Sequence, residues 1–423
     1  MRVPSVLILL GTLAYGGAVA AQRTDAFIVS RDHAAIAYSK GPVSDRVAAL
    51  NERIQSGAVQ LTFDPVSGYL RSVLDALQVP VESQTLVFSP TSFQAALVSM
   101  QNPRALYFND TVAVGWVRGA EVLEIAAQDP RQGVSFYALE QQPAARPQLR
   151  RNSECLACHL SWDTLGVPGL FVMSMFPLPD DKNAYANGLV NDHRSPFGER
   201  WGGWYVTGTH GVSRHMGNVA VTPADRARSK LPGPLRARPS VEGLFDLKGF
   251  PAPYSDVAAL MVLAHQTRVT NLLTRVGWEA RVASHDNASD GAARVQAAAT
   301  ELVDYMLFVD EIRLTTPVRG TSGFAEKFSG EGPRDSTGRS LRQLDLQRRL
   351  FRYPCSYMIY SEAFDALPAG AKDAVYTRMW QVLSGQERGQ KYARFARADR
   401  QAVVDILRET KRDLPAYFQA VTR

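Results

Sequence analysis

Cys155, Cys158 and His159 stand together in the run Arg151-Asn152-Ser153-Glu154-Cys155-Leu156-Ala157-Cys158-His159. Two thiols three positions apart on one helical turn face the same way, so both can add to the vinyl groups along one edge of a porphyrin. The adjacent imidazole is then directed at the iron from the same side, and this C-x-x-C-H spacing is the one that c-type haem attachment uses. Thioether bonds hold the cofactor without a deep pocket, while the axial ligands and burial set its potential. A cysteine pair can also be a dithiol redox site, half of a zinc site or a plain disulfide. A redox site is expected beside a βαβ pattern, and tetrahedral zinc needs a fourth ligand beyond Cys155, Cys158 and His159. Neither context is visible, so one covalent haem c is the expected cofactor, with His159 as the proximal iron ligand.

At these three residues the chain resembles the c-type cytochromes. More widely, Gln84-Thr85-Leu86-Val87-Phe88-Ser89, the run Asn102 to Asp110 and the run Arg200 to Gly211 look like segments of a family of exported bacterial single-haem c-type proteins. The wider resemblance supplies no activity. From the c-type cytochromes it carries over one expectation beyond the motif: in the turn Gly166-Val167-Pro168-Gly169, the Pro168 carbonyl accepts the second ring N–H of His159.

What such an iron does depends on its sixth position, because a His or Met there makes an electron carrier and an open site admits a small molecule. The candidates are His193, His210, His215, Met216 and His265. His210 and His215 with Met216 are preferred as distal ligands, since the loop Thr207 to Asn218 carries them among glycines that permit close approach to a flat cofactor. His265 ranks second, on an apolar helix, and Met173 and Met175 read as core. Arg200, Arg214 and Trp162 are candidates for holding the propionates. Cys355, with no lysine or histidine beside it, reads as a buried small hydrophobe. The leading expectation is electron transfer in the cell envelope to a redox partner protein. The alternatives are a haem enzyme of peroxidase or oxidase type with an open distal position, and a gas or redox sensor.

The elements that must position these residues fall into an α+β pattern. Residues 43–57 and 66–79 have helical periodicity, and Gln84 to Gln141 changes to short β-rich runs separated by turn residues, which predicts a small antiparallel sheet. Residues 148–250 are rich in glycine, proline and aromatics with little periodicity apart from a strand near Trp204 to Thr207, so a loop-built binding region is expected there. From residue 251 helices are predicted over 255–276, 292–314, 341–351, 372–383 and 400–414. The expected organisation is therefore a signal peptide (1–21), an α+β lobe (22–147), a haem-binding region (148–250) and an α-helical region (251–423).

The signal reading rests on Met1-Arg2, the apolar run Val3 to Leu13 and the A-x-A site Ala18-Val19-Ala20, and it places the protein in the periplasm or otherwise outside the cytoplasm with no transmembrane segment after cleavage. Three cysteines among 423 residues are too few for a disulfide-stapled exported fold. The net charge of +6 comes from basic residues scattered among acids, which argues against a nucleic-acid partner.

Overall fold

The computed structural model describes residues 27–175, 188–219 and 237–419; the signal reading of residues 1–21 lies outside them. The chain is α+β. Its two short N-terminal helices, α1 (Arg46–Gln55) and α2 (Leu70–Ala76), form where periodicity predicts them. Asp45 starts α1 by accepting the N–H groups of Val47 and Ala48, and its second carboxylate oxygen takes the Tyr137 hydroxyl at 2.6 Å. The first helix is thereby fixed to the sheet.

That sheet has seven strands in the order β6-β5-β4-β3-β2-β1-β9. Strands β1 (Thr85–Val87), β2 (Arg104–Phe108), β3 (Val112–Trp116), β4 (Val122–Asp129) and β5 (Gly133–Glu140) form an antiparallel meander. The middle region supplies both edges: β6 (Arg150–Arg151) pairs with β5, and β9 (Trp204–Tyr205) pairs with β1. Side chains alternate across a strand, so Leu86, Ala105, Tyr107, Val114, Leu123, Ile125 and Leu139 pack on α1 and α2 on one face. The opposite face presents Arg104, Leu106, Ala113, Gly115, Glu124, Ala126 and Phe136 to the rest of the molecule. A separate ribbon joins β7 (Val172–Ser174) to β8 (Leu189–Asn191).

The C-terminal region is helical and organised by α4 (Val257–Asp286), which follows the four-residue α3 (Leu156–His159) in chain order. Asp256 caps α4 with one oxygen on the N–H groups of Ala258 and Ala259, and its other oxygen takes those of Thr321 and Ser322. Buried all round from Val257 to Glu279, α4 is a core helix rather than an amphipathic one. Its buried cations are paired: Arg268 and Arg275 reach Glu301 on α5 (Gly291–Met306) at 2.9 and 2.8 Å. Further helices α6 (Phe324–Gly330), α7 (Glu362–Asp365), α8 (Ala369–Leu383) and α9 (Arg397–Thr410) complete this part. Among the described residues no helix is long and apolar enough to cross a membrane.

Two helix predictions need correction. The element predicted over 292–314 stops at Met306, because Phe308 takes a left-handed backbone (φ 58) that cannot continue a helix. Residues 341–351 form no helix. The Asp345 carboxylate accepts the N–H groups of Gln347 and Arg348, and Leu344 bridges to Phe351, so side-chain hydrogen bonds hold a turn where the apolar spacing alone suggested a helix.

Candidate functional site

Helix α3 begins after Cys155 and ends on His159. Asn152 starts the turn by accepting the Glu154 N–H at 3.0 Å. Leu156 is the buried residue of α3 and packs in a cluster with Phe136, Val167 and Trp278. Cys155, Cys158 and His159 all line a cavity of about 370 Å³. The sheet face turned away from α1 and α2 supplies its wall through Arg104, Leu106, Ala113, Gly115, Glu124, Ala126 and Phe136, and Phe171, Trp204, Leu263 and Thr267 enclose it further. The sequence-predicted trio is therefore brought together, with all three side chains on one mostly apolar space.

The imidazole of His159 is fixed in one tautomer. Its Nδ1 lies 2.9 Å from the Gly169 carbonyl, which can only accept, so Nδ1 carries the proton and Nε2 keeps its lone pair. The Gly169 N–H returns a bond to the His159 carbonyl, also at 2.9 Å. The acceptor is thus Gly169 and not Pro168, whose carbonyl is committed to the Val134 N–H at 3.0 Å. Asn271 of α4 holds this loop: its side chain accepts from the Leu170 N–H at 3.0 Å and donates to the Leu170 carbonyl at 2.7 Å. A Cβ at position 169 would stand 2.1 Å from Asn271 Oδ1, so glycine is required there. Phe136 and Phe171 pack against the ring at centroid distances of 4.9 and 5.3 Å. Burial pulls the His159 pKa down to about 4, with the Gly169 hydrogen bond opposing, which keeps the ring in its neutral, metal-ligating form.

The thiols do not have the character of a dithiol redox pair. Burial pushes Cys155 up to about 11, with the Glu124 carboxylate adding to the effect, and burial raises Cys158 as well. A reactive C-x-x-C pair needs the opposite shift. Cys355 is fully buried and its thiol is pushed up to about 12, as expected of a small core residue.

Arg104 and Glu124 form an ion pair on the cavity wall. Gly115 makes room for the guanidinium, because a Cβ there would lie 2.5 Å from Arg104 Nη2. The buried Nε–H of Arg104 has no hydrogen-bond partner, which leaves one donor available to a carboxylate. The residues expected for that role are elsewhere. Arg200 donates to the carbonyls of His193 and Ser195, Trp162 is 72 % exposed, and neither they nor Arg214 line the cavity. Arg104 was legible in one respect: it shares the strand face of Leu106 and Phe108, an ionic residue in an apolar alternation.

None of the distal candidates lines the cavity either. His210 donates through Nδ1 to the Ser213 carbonyl at 2.6 Å, and His215 accepts the Gly217 N–H at 3.0 Å. The Met216 sulfur lies 3.6 Å from the Ser174 hydroxyl. The glycines that favoured this loop serve a different approach: Cβ atoms at Gly208 and Gly211 would meet the Arg319 carbonyl and the Thr316 side chain, so the close neighbour is residues 316–319. His265 and His193 form a buried pair with their Nδ1 atoms 3.0 Å apart, and His265 Nε2 reaches Ser356 at 2.8 Å. Met173 and Met175 pack with Phe171 and Val190. Apart from Met1, every histidine and methionine of the sequence falls within the described residues, and of these His159 alone lines the cavity.

No protein-family model matches this chain, and no curated protein or solved structure is significantly similar to it.

Proposed function

We propose that this chain is an exported single-haem c-type protein, with the haem attached through Cys155 and Cys158, ligated by His159, and used for electron transfer in the cell envelope. One observation carries the reading. Both thiols and the His159 imidazole line the same cavity, and the hydrogen bond from Nδ1 to Gly169 leaves Nε2 as the ring nitrogen with a free lone pair. The other residues suit the same group. Phe136 and Phe171 hold the imidazole plane, Asn271 holds its acceptor loop, and Arg104 offers a buried donor to a propionate carboxylate. Bound there, haem would supply a one-electron couple whose potential depends on axial ligation and burial. Cys155 and Cys158 are only partly buried, so the tethered edge would lie near the surface, where a redox partner can approach.

A second reading, a haem enzyme with an open sixth position, is favoured by the lining itself, since among the described residues no second histidine or methionine lines it. The exported protein tests both. Covalent haem should remain with the polypeptide through acid-acetone extraction, and complete extraction overturns the central reading. Carbon monoxide added to the reduced protein then separates the two: an immediate change in the visible spectrum supports the open site, and an unchanged spectrum supports a six-coordinate carrier.

A further inference from the structure

Among the described residues one group of three side chains brings metal-ligating atoms within 4.8 Å of one another: His33, His285 and Asp286. His33 belongs to the N-terminal segment, and the other two are the last residues of α4. His33 Nε2 lies 3.2 Å and His285 Nδ1 lies 2.8 Å from the same oxygen, Asp286 Oδ1, and the two rings meet edge to face at 5.2 Å. Donor atoms about 2.0–2.1 Å from a tetrahedral cation stand about 3.3 Å from one another. The nitrogen-to-oxygen separations are therefore already close to those of a coordination shell.

We propose that His33, His285 and Asp286 bind a divalent transition-metal ion of the zinc or copper class, with solvent completing the shell. Two imidazoles and one carboxylate suit these ions, whereas calcium and magnesium prefer all-oxygen shells. All three side chains are at least partly exposed, so an ion has access from solvent. The position adds a second argument. Asp286 puts a carboxylate at the C-terminus of a 30-residue helix, where the peptide dipoles favour positive charge. A cation among the three donors removes that conflict. Binding moves the ring proton of His33 from Nε2 to Nδ1 and so gives up the 3.2 Å bond from the Ala35 N–H, a loss of order 1 kcal/mol. That is small beside three metal–ligand bonds.

The site would fasten a segment with a structural task. Phe27, Ile36 and Tyr38 pack with Leu156, Val167 and Trp278, directly behind α3. The Phe27 N–H donates to the Leu165 carbonyl at 2.7 Å, and the Phe27 carbonyl lies where a Cβ on Gly166 would be, 2.0 Å away. A metal ion would tie this cover to the end of α4. The inference needs no haem to hold, because none of its three residues lines the cavity.

Untagged, chelator-stripped protein carrying its native covalent group, titrated calorimetrically with zinc chloride, should bind one equivalent and gain thermal stability. His33→Gln and His285→Gln should each weaken that binding by at least about tenfold and abolish the stability gain, without changing the visible spectrum. Copper(II) bound to the wild type should give an electron paramagnetic resonance signal with coupling to two nitrogens. If zinc does not bind, or binds equally well to both variants, the proposal is overturned.

Discussion

Two regions of this molecule enclose histidine, His159 in part and the others fully, and they do so to opposite ends. At the cavity, His159 spends one ring nitrogen on a backbone carbonyl and keeps the other toward an apolar space. Around α4 and the loop before it, His193 and His265 bond to each other, His210 to Ser213 and His215 to Gly217, all packed among aromatic rings. The first arrangement prepares a ligand. The second does not, because each ring spends a nitrogen on a protein partner and the nitrogens left over, His193 Nε2 and His215 Nε2, lie buried among aromatic rings and away from the cavity lining. The difference teaches that a histidine's role is set by which nitrogen its neighbours leave vacant and what that nitrogen faces.

The largest expected effect tests this contrast directly. His159→Ala should remove the proposed proximal ligand and change the visible spectrum wholesale, whereas His210→Ala, His215→Ala, Met216→Ala and His265→Ala should each keep the wild-type spectrum and carbon monoxide response. A new high-spin, carbon-monoxide-binding form in any of those four would break the comparison. His265→Ala should instead register in stability. It removes two hydrogen bonds and the stacking on Phe308 and Tyr305, a loss of about 3 kcal/mol measurable as a lower urea midpoint at unchanged slope.

Acid sharpens the same contrast. Burial pulls His215 and His265 down to about 3 from an ordinary value of 6.5, and lowers His193 as well. The native state therefore holds these rings neutral where the unfolded chain takes up protons. Their contribution is full above about pH 6.5 and is lost progressively as pH falls toward 3. Urea midpoints measured from pH 7.5 down to 4 should decline, and the decline should be shallower in His265→Gln. A midpoint that is flat over that range would show that these rings are not held neutral.

A smaller effect is expected from Asn271→Ala, which frees the Leu170 backbone from α4 and with it the carbonyl that orients His159. Stability should fall by about 1–3 kcal/mol, and the reduction potential should shift through the ring's altered hydrogen bond. A stability loss with no change in potential would confine Asn271 to packing. The smallest effect belongs to Cys355→Ser: covalent haem should be retained in full, with at most about 1–2 kcal/mol lost from placing a hydroxyl in an apolar site. Loss of attachment in this variant would give Cys355 a chemical part it has no geometry for.

Local signals carried well from sequence to fold where one element explains itself. The alternation in residues 104–140 produced the meander, and the 3.6-residue spacing located α8, α9 and the start of α4 within a few residues, although α4 runs on to Asp286, beyond the end expected at residue 276. Leu341 to Phe351 misled because its apolar spacing is helical while Asp345 turns the backbone through its own side chain. The C-x-x-C-H trio was readable because its three members are consecutive enough to share one turn. Arg104 and Asn271 were not, since each acts on a residue far along the chain, although both leave a trace as polar residues inside apolar patterns. That the histidines of the glycine-rich loop do not line the cavity was hidden for the same reason. Glycine announces a close approach but not what approaches.

The cavity's walls also differ in when they can form. Strands β2 to β5 join through short turns, so the sheet face can assemble from neighbouring segments early in folding. Trp204, Leu263 and Thr267 arrive much later in the chain, and β9 seals β1 through the Phe88 N–H bond to the Gly203 carbonyl at 2.7 Å. Closure of the pocket is thus a late, long-range event, and a half-built molecule keeps Cys155 and Cys158 accessible while already holding one wall in shape. Pulse-labelled hydrogen exchange during refolding should protect the Leu123 to Leu139 amides before that of Phe88; simultaneous protection would mean that the pocket closes in the same step that builds its wall.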